Sequence, residues 1–130
     1  MSRRLIIGID AMGGDFAPDN ELLGAQMAYE ELHNRGCDLM FFGQETTIRS
    51  AAQRLGINLS RFSLTHTEEL VTMHDEPASI VKKKRNSSMY QGIDFVRDKR
   101  TDAFVSAGNT GAVMATGTVR SEEHTSELQS

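Results

Sequence analysis

The sequence predicts an α/β protein with three layers, a mostly parallel sheet between helices, in the Rossmann-like manner. Three observations predict it. Short apolar runs rich in β-branched residues alternate with longer stretches of helical period. Glycine recurs after the apolar runs as punctuation. The composition, 38 % apolar and 25 % charged with 11 glycines and 2 prolines, is that of a globular chain. Strands that alternate with helices call for right-handed crossovers and helices on both faces. Ligands of such sheets gather at the carboxyl ends of the strands.

The elements follow in order. Leu5-Ile6-Ile7-Gly8-Ile9-Asp10 is a short buried strand. A loop with the pair Gly13-Gly14 runs from Ala11 to Pro18. A helix is expected from about Asp19 to Arg35, with Leu22, Leu23, Met27 and Leu32 on one broad face and Gly36 ending it. Asp38 to Gly43 is the second strand. Glu45 to Leu55 is a helix with Ile48, Ala51, Ala52 and Leu55 inward, closed by Gly56. Phe62 to His66 alternates weakly as a third strand, and Thr67 to Glu76 reads as a long loop. Pro77 suits the first turn of a short helix, Ala78 to Arg85. Ser87 or Ser88 caps a further helix, Met89 to Arg97, with Met89, Ile93 and Val96 facing in. Thr101 to Ser106 is a fourth strand, Gly108 to Gly111 a turn, and a helix opens at Ala112.

Several function classes are excluded or disfavoured. A formal charge of −4 does not suit an electrostatic nucleic-acid binder. One cysteine, Cys37, allows no internal disulfide framework and fits a reducing, cytoplasmic setting. No apolar run reaches the ~20 residues that span a bilayer. His66, His74, Asp75 and Glu76 do not have the spacing of a metal site, so no metal is expected. No nucleophile elbow occurs, and Cys37 has no nearby cation to activate it. An enzyme of this kind would bring its nucleophile as a bound substrate.

Three motifs remain that could carry chemistry. Asp10-Ala11-Met12-Gly13-Gly14-Asp15 puts a glycine pair where backbone N–H groups can approach a ligand, although by itself the motif reads better as an ordinary strand-to-helix turn with Asp as a cap. Ser106-Ala107-Gly108-Asn109-Thr110-Gly111 follows a strand and opens a helix, which aims N–H groups and a helix terminus at one spot that suits an anion. Lys82-Lys83-Lys84-Arg85-Asn86-Ser87-Ser88-Met89 places four consecutive cations before a capped helix, either a phosphate clamp or a solvated face.

Together with His74-Asp75-Glu76-Pro77, these motifs occur in an order that resembles the bacterial phosphate acyltransferases of phospholipid synthesis, the PlsX family. The resemblance covers roughly Leu5 to Met114. Arg85 departs from it, standing where lysine is common. The resemblance implies a fold of the isocitrate and isopropylmalate dehydrogenase type. It implies transfer of an acyl group from acyl carrier protein to inorganic phosphate, giving acyl phosphate, with no cofactor. It implies Asn109 and Arg85 as catalytic residues. It implies Asp10, Gly13, Gly14, Lys84, Ser87, Ser88, Ser106, Gly108, Thr110 and Gly111 as the substrate and phosphate site. A homodimer in the cytoplasm with peripheral membrane contact is implied in the same way. A phosphotransacetylase-like enzyme and a non-enzymatic phosphate- or carrier-binding module are the alternatives.

The family's chains are more than twice as long. Residues 120–130 are polar apart from Leu128 and resemble the translation of a sequencing-library adapter. The expected organisation is therefore residues 1–119 as the leading part of one acyltransferase domain and residues 120–130 as a non-native tail, with a net charge of −2 once that tail is set aside. A sheet cut short exposes an edge and apolar faces. The isolated chain is expected to be inactive and to aggregate. A soluble monomer with a sharp two-state melt would contradict this.

Overall fold

The computed structural model describes residues 3–68 and 85–107. Four strands, β1 (Leu5–Asp10), β2 (Cys37–Gly43), β3 (Ser63–His66) and β4 (Ala103–Val105), form one sheet in the order β3-β2-β1-β4. All three pairings are parallel. Among the described residues three helices, α1 (Asp19–Asn34), α2 (Glu45–Leu55) and α3 (Ser88–Arg97), alternate with them, and a 3-10 turn at Leu59–Arg61 leads into β3. The expected α/β class holds. The expected loop over residues 69–76, the helix over 78–84, the turn at 108–111, the helix from Ala112 and the tail at 120–130 lie outside the described residues.

The pleat sends successive side chains to opposite faces, which gives the sheet two cores. On one face Leu39 and Phe41 pack with Leu22 and Ala25 of α1 and Ile48, Ala51 and Ala52 of α2. Ile7, Ile9 and Leu64 join them from the neighbouring strands. On the other face Phe42 meets Phe95 of α3 edge-on at 4.9 Å and Phe104 of β4 at 5.7 Å. Each large apolar side chain hidden in this way contributes about 1.5–3 kcal/mol. Gly8 lies beneath that second cluster, where a Cβ would come within 2.8 Å of the Phe42 ring.

Local signals account for the ends of the elements. Gly56 closes α2 in the left-handed region, at φ 73°, as expected of a glycine there. Gly36 takes φ 84° just past α1. Ser87 caps α3, its hydroxyl accepting from the Tyr90 N–H at 3.2 Å. His66, weighed above as a metal ligand, accepts the Glu45 N–H on Nδ1 at 3.0 Å and so serves the start of α2. Asp102 ties β1 to the turn before β4, accepting from the Ile6 N–H and from both Arg3 guanidinium nitrogens. Those bonds, the Arg3 pair first, hold its carboxyl below the usual range.

Two expectations about helix faces need correction. In α1 the buried residues are Leu22 and Ala25, with Leu32 half-buried; Leu23 is 40 % and Met27 86 % exposed. At 100° per residue, Leu23 and Met27 stand roughly 100–140° round from Leu22, beyond the stripe that positions 22, 25, 29 and 32 present. In α3, Met89 is buried and Ile93 and Val96 are only half-buried, while Tyr90, Gly92 and Phe95 are buried too. Arg85, expected as the last residue of a helix, stands in a turn.

Gly92 is the contact that lets α3 lie on β4, since the Phe104 ring occupies the place of a Cβ there. Gly92→Ala is expected to cost about 1–3 kcal/mol in urea unfolding through overpacking, despite alanine's better helix propensity. A variant as stable as its parent would contradict this packing.

Candidate functional site

The strand order sets the place of the site. The chain steps from β1 outward to β2 and β3, then returns to lay β4 on the other side of β1. Between β1 and β4 the winding reverses, and at such a point the loops diverge at the carboxyl ends and leave a crevice. Asp10 is the last residue of β1, Ser106 follows the end of β4, and Ser88 opens α3.

These three residues meet. Asp10 is 2 % exposed. Its Oδ1 accepts from the Ser88 hydroxyl at 2.5 Å and from the Met12 N–H at 3.1 Å, and its Oδ2 accepts from the Ser106 hydroxyl at 2.8 Å. A buried carboxylate needs such a set of donors, and the first turn of α3 adds a favourable dipole end. Ser88 is 78 and Ser106 is 96 residues away in sequence, so the cluster joins three distant segments.

The hydroxyl protons have a consequence for anion binding. A carboxylate only accepts, and each serine has one proton. With those protons on Asp10, Ser88 and Ser106 can offer only oxygen lone pairs elsewhere. The resemblance implies Ser106 as part of the phosphate site; in this arrangement its hydroxyl proton is committed to Asp10. Ser87 likewise has a local task as the cap of α3.

The glycine pair also behaves differently from its first reading. Among the described residues only Gly36, Gly56 and Lys99 have positive φ. Gly13 and Gly14 are therefore not required for a left-handed turn; at Gly13 the requirement is space, because the Asp10 carboxylate it faces is held by its donors. A Cβ on Gly13 would collide with the Asp10 carboxylate and lie 3.1 Å from the Ser106 hydroxyl. A Cβ on Gly14 would collide with the Glu21 carboxylate. The room left by the glycines is filled by the protein's own acids.

Glu21 is the residue that sequence reasoning missed. It lies in the first turn of α1, where an acid is unremarkable because it complements the helix dipole. Here it is half-buried, against Gly14 and within the electrostatic reach of Asp10. Burial first, and the Asp10 charge further down, push its carboxyl up, against opposing hydrogen bonds from the backbone of Glu21 and Gly14.

Arg85 is exposed at the mouth of α3, its guanidinium 5.8 Å from the Tyr90 ring centre and its carbonyl accepting from the Gln91 side chain at 2.8 Å. The segment before α3 reaches across the strand ends, where the Asn86 carbonyl accepts the Glu68 N–H at 3.1 Å. Lys84, Gly108, Asn109, Thr110 and Gly111 lie outside the described residues. The structure thus brings together Asp10, Gly13, Ser88 and Ser106, with Gly14 beside Glu21 and Ser87 beneath the first turn of α3.

A parallel sheet whose winding reverses between β1 and β4, with Asp10, Ser88 and Ser106 gathered at the carboxyl ends of those strands, defines an α/β protein of the open, doubly wound class. Comparison with known proteins makes this particular. The family described as "Fatty acid synthesis protein" matches residues 5–126, and the chain belongs to that family. The chain is 40 % identical over 109 residues to the phosphate acyltransferase of Dictyoglomus turgidum, covering 84 % of this chain and 32 % of that protein. It is 43 % identical over 111 residues to that of Geobacillus thermodenitrificans, 85 % and 32 % of the two chains. It is 40 % identical over 121 residues to that of Gloeothece citriformis, 92 % and 33 %. The chain spans about a third of the length of these curated relatives. The resemblance noted from the motifs is borne out.

Glu21 gives a pH test. A carboxyl raised by folding leaves stability untouched below its unfolded pKa of about 4.3 and removes stability as pH rises through the folded value. Glu21→Gln is therefore expected to raise the melting temperature at pH 7. The gain should vanish below about pH 4. A lower melting temperature at pH 7 would show that the carboxylate is needed there.

Proposed function

We propose that this chain supplies the leading part of an acyl-[acyl carrier protein]:phosphate acyltransferase, which makes acyl phosphate for phospholipid synthesis. The observation that carries the reading is the match at about 40 % identity to proteins named phosphate acyltransferase, over more than four-fifths of the chain. Inorganic phosphate would be the nucleophile. One of its oxygens attacks the thioester carbonyl carbon, the C–O bond forms, the C–S bond breaks, and the carrier's thiolate leaves and takes up a proton. Such a reaction asks the protein to hold phosphate against the carbonyl and to stabilise the developing oxyanion, and it needs no catalytic serine or cysteine.

The charges suggest where each group would go. Asp10 and Glu21 make the glycine-loop side of the crevice acidic, which repels a phosphate dianion. The phosphate is then assigned to Lys84, Arg85 and the sequence Gly108-Asn109-Thr110-Gly111, with Asn109 as a donor. Acyl carrier protein as acyl donor, a homodimer, a cytoplasmic location and peripheral membrane contact belong to the same proposal. No helix among the described residues is long and apolar enough to cross a membrane.

The test uses a chimera in which residues 5–114 replace the matching segment of the Dictyoglomus turgidum protein. Loss of acyl-carrier thioester that depends on added phosphate, with acyl phosphate trapped as a hydroxamate, is the expected result. Asn109→Ala should lower kcat/KM on the order of 10²-fold, as loss of an oxyanion donor does. Phosphate binding without turnover would favour a binding module. Unchanged turnover and phosphate KM in the variant would remove Asn109 from the site.

A further inference from the structure

We infer that Asp10 is the positioning residue of the crevice: it fixes the start of α3 against the end of β4 through the two serine hydroxyls, and does not itself touch substrate. The inference deepens the proposed acyl transfer and rests on it for its activity readout. Three observations carry it. Asp10 is 2 % exposed, so it presents no surface to a ligand. Its donors come from three segments, the Met12 N–H of the glycine loop, Ser88 of α3 and Ser106 beyond β4. Gly13 closes over the carboxylate so tightly that no Cβ fits between them.

The chemistry follows from the acceptor-only nature of a carboxylate. Both serines must turn their protons inward, and this orients both oxygens and the backbone that carries them. Ser88 follows Arg85 by three residues and Ser106 precedes Asn109 by three. One buried group therefore sets the separation of Ser88 and Ser106, which adjoin in sequence the residues that the proposed reaction uses. An asparagine in its place has the same shape but the wrong hydrogens. Its amide nitrogen donates, so one serine would have to turn round and free its proton. The two serines should then act as a unit with Asp10, and their losses should not multiply.

The experiment is a mutant cycle in the same chimera: Asp10→Asn, Ser88→Ala with Ser106→Ala, and all three together. Asp10→Asn should lower kcat/KM for phosphate about 10-fold or more, and the triple variant should lose less than about twofold beyond it. Ser106→Thr, which keeps a hydroxyl, should restore most of what Ser106→Ala loses. Losses that multiply, an unaffected Asp10→Asn, or no rescue by threonine would overturn the inference. A second readout needs no turnover. In chimera labelled with 15N-serine, Ser88→Ala should shift the Ser106 amide signal, and Ser106→Ala the Ser88 signal. Shifts confined to the neighbours of each change would overturn the positioning role. A parent chimera without phosphate-dependent turnover would overturn the acyl-transfer reading alone, because the amide shifts still report on Asp10.

Discussion

A carboxylate that is buried must be surrounded by donors, and the described part of this molecule is arranged around one that is. Asp10 ends the central strand β1, and its two oxygens draw in the glycine loop, the first turn of α3 and the residue after β4. Removing any one donor would leave a lone pair dry, which is costly in a site of low dielectric. The constraint explains why small residues gather there. Serine is the shortest side chain that can donate, and glycine is the only residue that fits at position 13.

The rest of the fold keeps that cluster in register. β1 is bonded on both sides, to β2 as far as Asp10 and to β4 as far as Ile9, so the strand that ends on Asp10 is held by two ladders. Phe42, Phe95 and Phe104 fill the face on which α3 lies, and Gly92 lets α3 approach β4 closely. At the opposite end of the sheet, Asp102 joins β1 to the approach of β4 through Ile6 and Arg3. The strand pair that frames the crevice is thus held at both ends, by a buried carboxylate at one and a partly exposed one at the other.

Much of this was legible in the sequence because its signals are local. Glycine at the end of a helical stretch marked Gly36 and Gly56, and the helical spacing of Ile48, Ala51 and Ala52 described α2 residue by residue. Ser87 was readable as a cap. The face of α1 was misjudged because Leu23 and Met27 are apolar yet turn away from the sheet, while the small Ala25 does the packing. Gly13 carries the same letter whether φ or space demands it, and here it is space. The contacts of Asp10 with Ser88 and Ser106 have no local signature at all, since 78 and 96 residues separate the partners. Glu21 was hidden by its ordinariness at the start of a helix.

The long separation of β1 from β4 also fixes an order of assembly. β1, α1, β2, α2 and β3 adjoin in sequence and bury their own apolar face, so they can pair while the chain is still being made. β4 must close a loop of more than ninety residues onto β1, and loop closure of that size lags behind local pairing. Until it does, Asp10 lacks Ser106 and keeps water on that oxygen. The crevice is therefore complete only once β4 has docked, since Ser106 arrives with it.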